Sequence, residues 1–125
     1  MTASYNVTSY DLDRFAAGHL SVMEGTLTVG GAGTYAKGLV LARSTATQKW
    51  VPFVSGGASG AGTPSAILVE EVVASGAGDI TVSAVVEGVI YKDKLVAGST
   101  LTNVELDMLR SFGIMAVASE DISEI

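Results

Sequence analysis

The chain has 125 residues, 48% hydrophobic and 16% charged, with 15 glycines, no cysteine and a formal net charge of −6; this suffices for one core and leaves no room for two domains. Without cysteine there is neither a disulfide framework nor a thiolate metal site, which is compatible with assembly in a reducing cytoplasm. The seven basic residues are scattered, with none between Trp50 and Tyr91, so the clustered positive charge of a direct nucleic-acid binder is missing, and no apolar run is long enough to span a bilayer.

Residues 1–24 stand apart from the rest. They hold Tyr5, Tyr10, Phe15, four charged residues and the single histidine, His19. The opening stretch MTASYNVTSYDLDRF has no basic segment followed by an apolar one, so it does not read as a secretory signal. Asn6-Val7-Thr8 has the form of a glycosylation sequon and, without a secretory route, is a chance match. A helical reading of Ser9 to Leu20 puts Leu12, Phe15 and His19 on a similar face, but the pattern is short and Gly18 weakens it. The segment reads as an arm, loosely ordered in isolation, with apolar anchors spaced along it.

A β-rich domain is expected over residues 25–119. Thr26-Leu27-Thr28-Val29 alternates and ends in a Gly-rich turn. Leu39 to Arg43 is nearly continuous apolar, as in a strand buried on both faces, and Lys49 to Val54 is its partner, with Pro52 marking an edge position or a bulge. Arg43 to Lys49 is then a solvent-facing turn, with Leu39, Leu41 and Trp50 in the core. Residues 55–65, SGGASGAGTPS, are small and flexible and form a loop rather than a linker. Ala66 to Val73 is the next strand. In Ile80 to Glu87, Ile80, Val82, Ala84 and Val86 share one face, Thr81, Ser83 and Glu87 take the other, and only Val85 breaks the alternation; the strand can resume through Val89 to Tyr91 after a bulge at Gly88.

Thr102 and Glu105 have capping-box spacing, which predicts a short helix. Val104, Met108 and Phe112 follow at i, i+4 and i+8 with Leu109 beside them, and Gly113 is placed as the stop. Ile114 to Ala118 reads as a final strand, and residues 120–125 as an acidic, frayed tail.

Chemistry-bearing constellations are sparse. A Ser-His-acid arrangement would need His19, in the arm, where a general base cannot be held on its target. Glu70 and Glu71 are adjacent in a strand and so face opposite ways, while Asp11 and Asp13 are two carboxylates only; neither pair makes a metal site. Gly31-Ala32-Gly33-Thr34-Tyr35-Ala36 fits the relaxed dinucleotide fingerprint, but the fingerprint works only where a helix starts, and here the chain leads into another strand. Trp50 and Phe53 are core residues on one reading and interface aromatics on another. No catalytic, cofactor or metal residues are assigned.

From about Ala36 to about Ser119 the chain resembles a known family. The elements are the strand Lys37-Gly38-Leu39-Val40-Leu41-Ala42-Arg43, the turn Ser44-Thr45-Ala46-Thr47-Gln48, and Lys49-Trp50-Val51-Pro52-Phe53. After these come the Gly/Ala loop leading to Ala66-Ile67-Leu68, the strand ending at Glu87-Gly88, Tyr91-Lys92-Asp93-Lys94-Leu95, and the helix closing on Leu109 to Gly113-Ile114. In order, spacing and length this resembles the head decoration proteins of tailed bacteriophages, the group typified by the phage lambda decoration protein. The resemblance implies a mainly β, β-tulip or β-clip single domain with one short helix in its C-terminal half and an extended N-terminal arm. It implies no enzyme and no cofactor. It further implies a homotrimer on the outside of an expanded head, at local three-fold positions, clamping the major capsid protein against the pressure of packaged DNA. The arm would order there by strand addition, with Tyr5, Val7, Tyr10, Leu12 and Phe15 as anchors. Two other classes remain open: a tail or fibre module binding a host glycan or receptor, and a cofactor-carrying β-clip domain, for which Val89 to Leu101 lacks a modifiable lysine in a Met-flanked hairpin.

Overall fold

A computed structural model describes residues 16–96 and 101–117. The chain forms β1 (Ala16–Val29), β2 (Gly33–Tyr35), β3 (Val40–Arg43), β4 (Trp50–Pro52), β5 (Pro64–Leu68), β6 (Val72–Ala74), β7 (Gly78–Tyr91), a short 3-10 turn (Lys92–Lys94), α1 (Asn103–Ser111) and β8 (Ile114–Val117). Neighbouring strands run β1-β4-β3-β5-β7-β8, and β1 also pairs with β7. Five strands therefore close into a barrel-like ring, with β8 added parallel to β7 outside it. Closure removes sheet edges that would otherwise invite pairing. β2 and β6 form a separate antiparallel pair.

Alternation sorts the core into two layers. Leu27, Leu41, Trp50, Ala66, Leu68, Val82 and Ala84 form one cluster, with contributions from all five ring strands, so it fills the ring. Val40, Ala42, Phe53, Ile67, Val69, Val85, Ile90, Leu109 and Ile114 form the other, between the ring wall and the α1-β8 segment. The apolar run of β3 is thus buried on both faces. Val85, the residue that breaks the alternation of β7, is buried for the same reason: its face lies under the outer layer.

The hairpin comes out as its sequence suggests. β3 and β4 pair antiparallel at Leu41 with Pro52, Ala42 with Val51 and Arg43 with Trp50. β4 meets β1 only at Trp50, opposite Leu27, so Pro52 sits where no ladder bond toward β1 is needed. The intervening turn is held by the Ser44 amide donating to the Lys49 carbonyl at 2.8 Å, and Thr45 to Lys49 are exposed.

Four expectations need correction. The helical reading of Ser9 to Leu20 fails from Ala16 on, because β1 starts there and pairs with β7 through residues 20–29; long-range pairing overrides a weak local pattern. Residues 16–24, expected in the arm, are therefore strand, paired with β7 at Ala16 and from Leu20 on. The strand expected over Ala66 to Val73 is two strands, split at Val69 to Glu71, so Glu70 and Glu71 are exposed between them. The loop after β4 is tightly folded rather than flexible. The Val54 amide donates to the Ala61 carbonyl, the Gly57 amide to the Val54 carbonyl and the Thr45 amide to the Ser59 carbonyl, at 2.8–2.9 Å. A Cβ on Gly60, at φ +89°, would lie 2.3 Å from the Arg43 carbonyl oxygen, so this glycine permits close approach of two backbones.

α1 also departs from its expected face. Its apolar residues form two stripes. Leu109 is fully buried with Leu101 and Leu106 packed near it, whereas Val104 is 64% and Phe112 50% exposed. The caps are as the sequence suggests. The Glu105 amide donates to Thr102 Oγ1 at 3.2 Å, the Thr102 amide donates to Glu105 Oε1 at 2.9 Å, and Gly113 leaves the helix at φ 97°. Glu105 has a further role: the Ser55 hydroxyl donates to its Oε2 at 2.6 Å, tying helix to loop. That hydroxyl, then the Thr102 amide, holds the Glu105 carboxyl below its usual value of 4.5.

Two predictions follow from these contacts. Thr102→Ala removes one of the two capping bonds and is expected to cost about 1 kcal/mol, read from urea unfolding. Because the Glu105 pKa is lowered in the fold, its contribution is complete above its unfolded value and is lost as pH falls through the folded one; Glu105→Gln is expected to flatten that acid limb of the stability–pH curve.

Gly25 generates another. A Cβ there would sit 2.8 Å from the Trp50 ring, and that ring is packed in the barrel core. Gly25→Val should destabilise the fold by about 1–3 kcal/mol through overpacking, more than the few tenths to 1 kcal/mol a less flexible unfolded chain returns. Trp50, the chain's one tryptophan, reports the unfolding.

Candidate functional site

No described group of three or more His, Asp or Glu side chains converges as a metal site would require. His19 lies on β1, and its side chain falls outside what the structure describes. The dinucleotide-like stretch leads into β2 rather than a helix, and the Tyr35 hydroxyl donates back to the Gly31 carbonyl at 2.9 Å. No helix N-terminus is presented for a pyrophosphate. Asp79 is held below the usual carboxylate range by the hydrogen bond from Lys49 and then by that from Thr28. The Lys49–Asp79 ion pair, 2.6 Å long, is exposed and joins the β3-β4 turn to the start of β7.

The arm anchors Tyr5, Val7, Tyr10, Leu12 and Phe15 lie outside the described residues. Their point of departure is described. Ala16 pairs with Ile90, and on the other side of β7, Val117 pairs with Tyr91. Both ends of the described chain therefore leave the body at the same end of β7. Trp50, 7% exposed, and Phe53, 5% exposed, lie in the inner and outer core layers respectively. Both rings are largely buried, with part of the Trp50 surface lining a cavity at one end of the barrel.

The exposed apolar surface lies elsewhere. One end of the ring opens into a cavity of about 410 Å³. Each ring strand gives one residue to this mouth: Met23, Arg43, Trp50, Ser65 and Val86, with Phe112 on the rim. Met23 is 45% exposed, and Phe112 leads to exposed Met115 and Val104. Ser65 Oγ is buried with no hydrogen-bond partner among the described residues. Sequence reasoning missed this surface because its residues are spread from position 23 to position 112. The one available signal was the i, i+4, i+8 spacing of Val104, Met108 and Phe112 in α1.

The described residues form a closed β body, and Ala16 and Val117, the two ends of the described chain, lie at the same end of β7. The sequence comparison agrees. Residues 12–109, most of the chain, match the family described as bacteriophage lambda head decoration protein D. The match begins earlier than the resemblance at Ala36 and takes in Leu12 and Phe15. No curated protein matches the sequence. The family is one of structural proteins on the phage capsid exterior rather than of enzymes, and the chain belongs to it.

Proposed function

We propose that three copies of the chain dock on the outside of the expanded head at local three-fold positions and clamp neighbouring major capsid subunits, using residues 1–15 as the contact arm. The observation that carries this reading is the departure of the chain from Ala16 beside Ile90, at the edge of a closed body. A closed ring has little spare edge of its own to add to a capsid sheet, whereas an extended arm brings unpaired backbone and the anchors Tyr5, Val7, Tyr10, Leu12 and Phe15. Strand addition then draws affinity from main-chain hydrogen bonds and selectivity from alternate side chains.

Ordering an arm costs conformational entropy, so one arm binds weakly. Three arms on one body make the second and third contacts effectively intramolecular. A net charge of −6 suits an exterior position, away from packaged DNA. The clamp performs no covalent step. It links subunits that internal pressure would separate.

Deleting residues 1–15 leaves β1 intact and is expected to yield a folded trimer that no longer decorates expanded heads. Imaging of capsids with and without added protein reads the occupancy, and sedimentation reads the oligomer. Full occupancy by the truncated protein rejects the arm's role; a stable monomer at micromolar concentration rejects the trimer.

A further inference from the structure

The cavity at the mouth of the ring is shaped by irregularities in two of its strands. Between β3 and β5, Leu41 pairs with Ala66 and Ala42 with Pro64, which leaves Ser65 as an extra residue in the ladder. Between β1 and β7, Ser21 pairs with Glu87 and Val22 with Val85, which leaves Val86 extra. A β-bulge bends its strand and re-aims a side chain, and bulges gather at barrel rims and beside binding sites. Both extra residues, Ser65 and Val86, line the cavity of about 410 Å³. Two separate bulges thus shape this end of the ring around a volume typical of small-molecule sites, which favour the mouths of β-barrels.

The wall and its charge define what fits. Met23, Trp50, Val86 and Phe112 make the wall mainly apolar. Met23 is 45% and Phe112 50% exposed, so a ligand would cover apolar surface that now faces water. Arg43 is the one ionisable side chain among the described residues lining the cavity. It lies two residues after Leu41, on the same face of β3, and Leu41 is fully buried in the inner core layer. The inward row of β3 therefore ends in a guanidinium. That group has no ion-pair partner among the described residues, the nearby pair being Lys49 with Asp79. The Gln48 side-chain amide at the rim is already engaged, donating to the Thr45 carbonyl at 3.1 Å. The Ser65 hydroxyl is enclosed by the wall, which leaves recognition to Arg43 and the apolar surfaces. Glu24 borders an adjoining recess that shares Arg43 and Trp50 with the mouth, so a second negative charge on a ligand would be repelled.

We infer that the mouth binds a small amphipathic monocarboxylate, an aromatic or branched aliphatic body carrying one carboxylate. The body rests among Met23, Trp50, Val86 and Phe112. The carboxylate takes the Arg43 guanidinium, whose planar fork matches it. A neutral hydrocarbon would leave that guanidinium unused, and a polyanion such as a nucleic acid would find a single cation. Binding is reversible and forms no covalent bond. The site goes beyond head decoration and stands whether or not the arm is the capsid contact, because every residue that holds the ligand belongs to the folded body.

The test titrates the full-length protein, in its native oligomeric state, with phenylbutyrate, the neutral phenylbutanamide and the cationic phenylbutylamine. Trp50, the chain's one tryptophan, reports through its emission and Met23 through its methyl resonance. Phenylbutyrate is expected to shift both signals saturably and to bind about fivefold more tightly than the amide, the upper end for an ion pair open to water; the amine should bind most weakly. Arg43→Gln should abolish the preference for carboxylate over amide and leave amide binding unchanged. Phe112→Ser should weaken both ligands alike, with far-ultraviolet circular dichroism showing a retained fold. Equal affinity for carboxylate and amide, or a carboxylate preference that survives Arg43→Gln, overturns the inference. So does the absence of any saturable shift in the full-length protein. A shift that then appears only after deletion of residues 1–15 assigns the mouth to the arm, and one that appears only on dilution assigns it to a second copy.

Discussion

Closure of the ring depends on a small contact between β1 and β4. The two strands run parallel and share one register pair, Leu27 with Trp50, so backbone bonding there is slight. The seam is held by the side chain instead. The Trp50 indole lies over Gly25, where any Cβ would fall within 3 Å of the ring, and its other surroundings are the inner layer of the core. Only glycine lets the two strands come that close. If the indole is lost, β1 keeps its long pairing with β7 but no longer reaches β4, and the ring becomes an open sheet. The inner layer would then have no enclosed volume to fill.

The outer layer depends on the inner one through the strands they share. β3, β5 and β7 carry both, with Leu41 inward and Val40 and Ala42 outward, and Ala66 and Leu68 inward and Ile67 outward. Such strands must be apolar on successive residues. Because the ring wall is covered, α1 packs on it with Leu109 fully buried, while Glu105 is held by Ser55 and its cap. This fixes the rotation of the helix and turns Val104 and Phe112 outward. The exposure of Phe112 at the mouth thus follows from a capping box and a buried glutamate two turns earlier.

These dependencies explain what the sequence disclosed. The β3-β4 hairpin, the helix caps and the stop at Gly113 were legible because each rests on residues close together in the chain. The both-faces burial of β3 was legible as an uninterrupted apolar run. β1 was not legible before residue 25, because Gly18 and the short apolar spacing hide a strand whose partner is nearly seventy residues away, as at Leu20 and Gly88. The split between β5 and β6 was hidden for a similar reason, since β6 is defined by β2 rather than by a local break. α1 presented two apolar stripes, and periodicity alone does not say which faces the ring. The mouth, assembled from five strands, had no local signature beyond the apolar stripe of α1 that carries Phe112.

A ring closed by its own side chains has few ways to meet a partner. The walls are used up: their inner face is core and much of their outer face lies under α1 and β8. What remains is the ends of the ring, the turns and the chain segments that leave it. Both segments depart beside the last residues of β7, on its two opposite sides. The one entering β1 carries apolar anchors and little charge, and the one leaving β8 is acidic with two isoleucines. That difference matters physically: apolar side chains such as Tyr5, Leu12 and Phe15 gain most from burial against another protein, whereas carboxylates such as Glu120, Asp121 and Glu124 are well solvated and gain less.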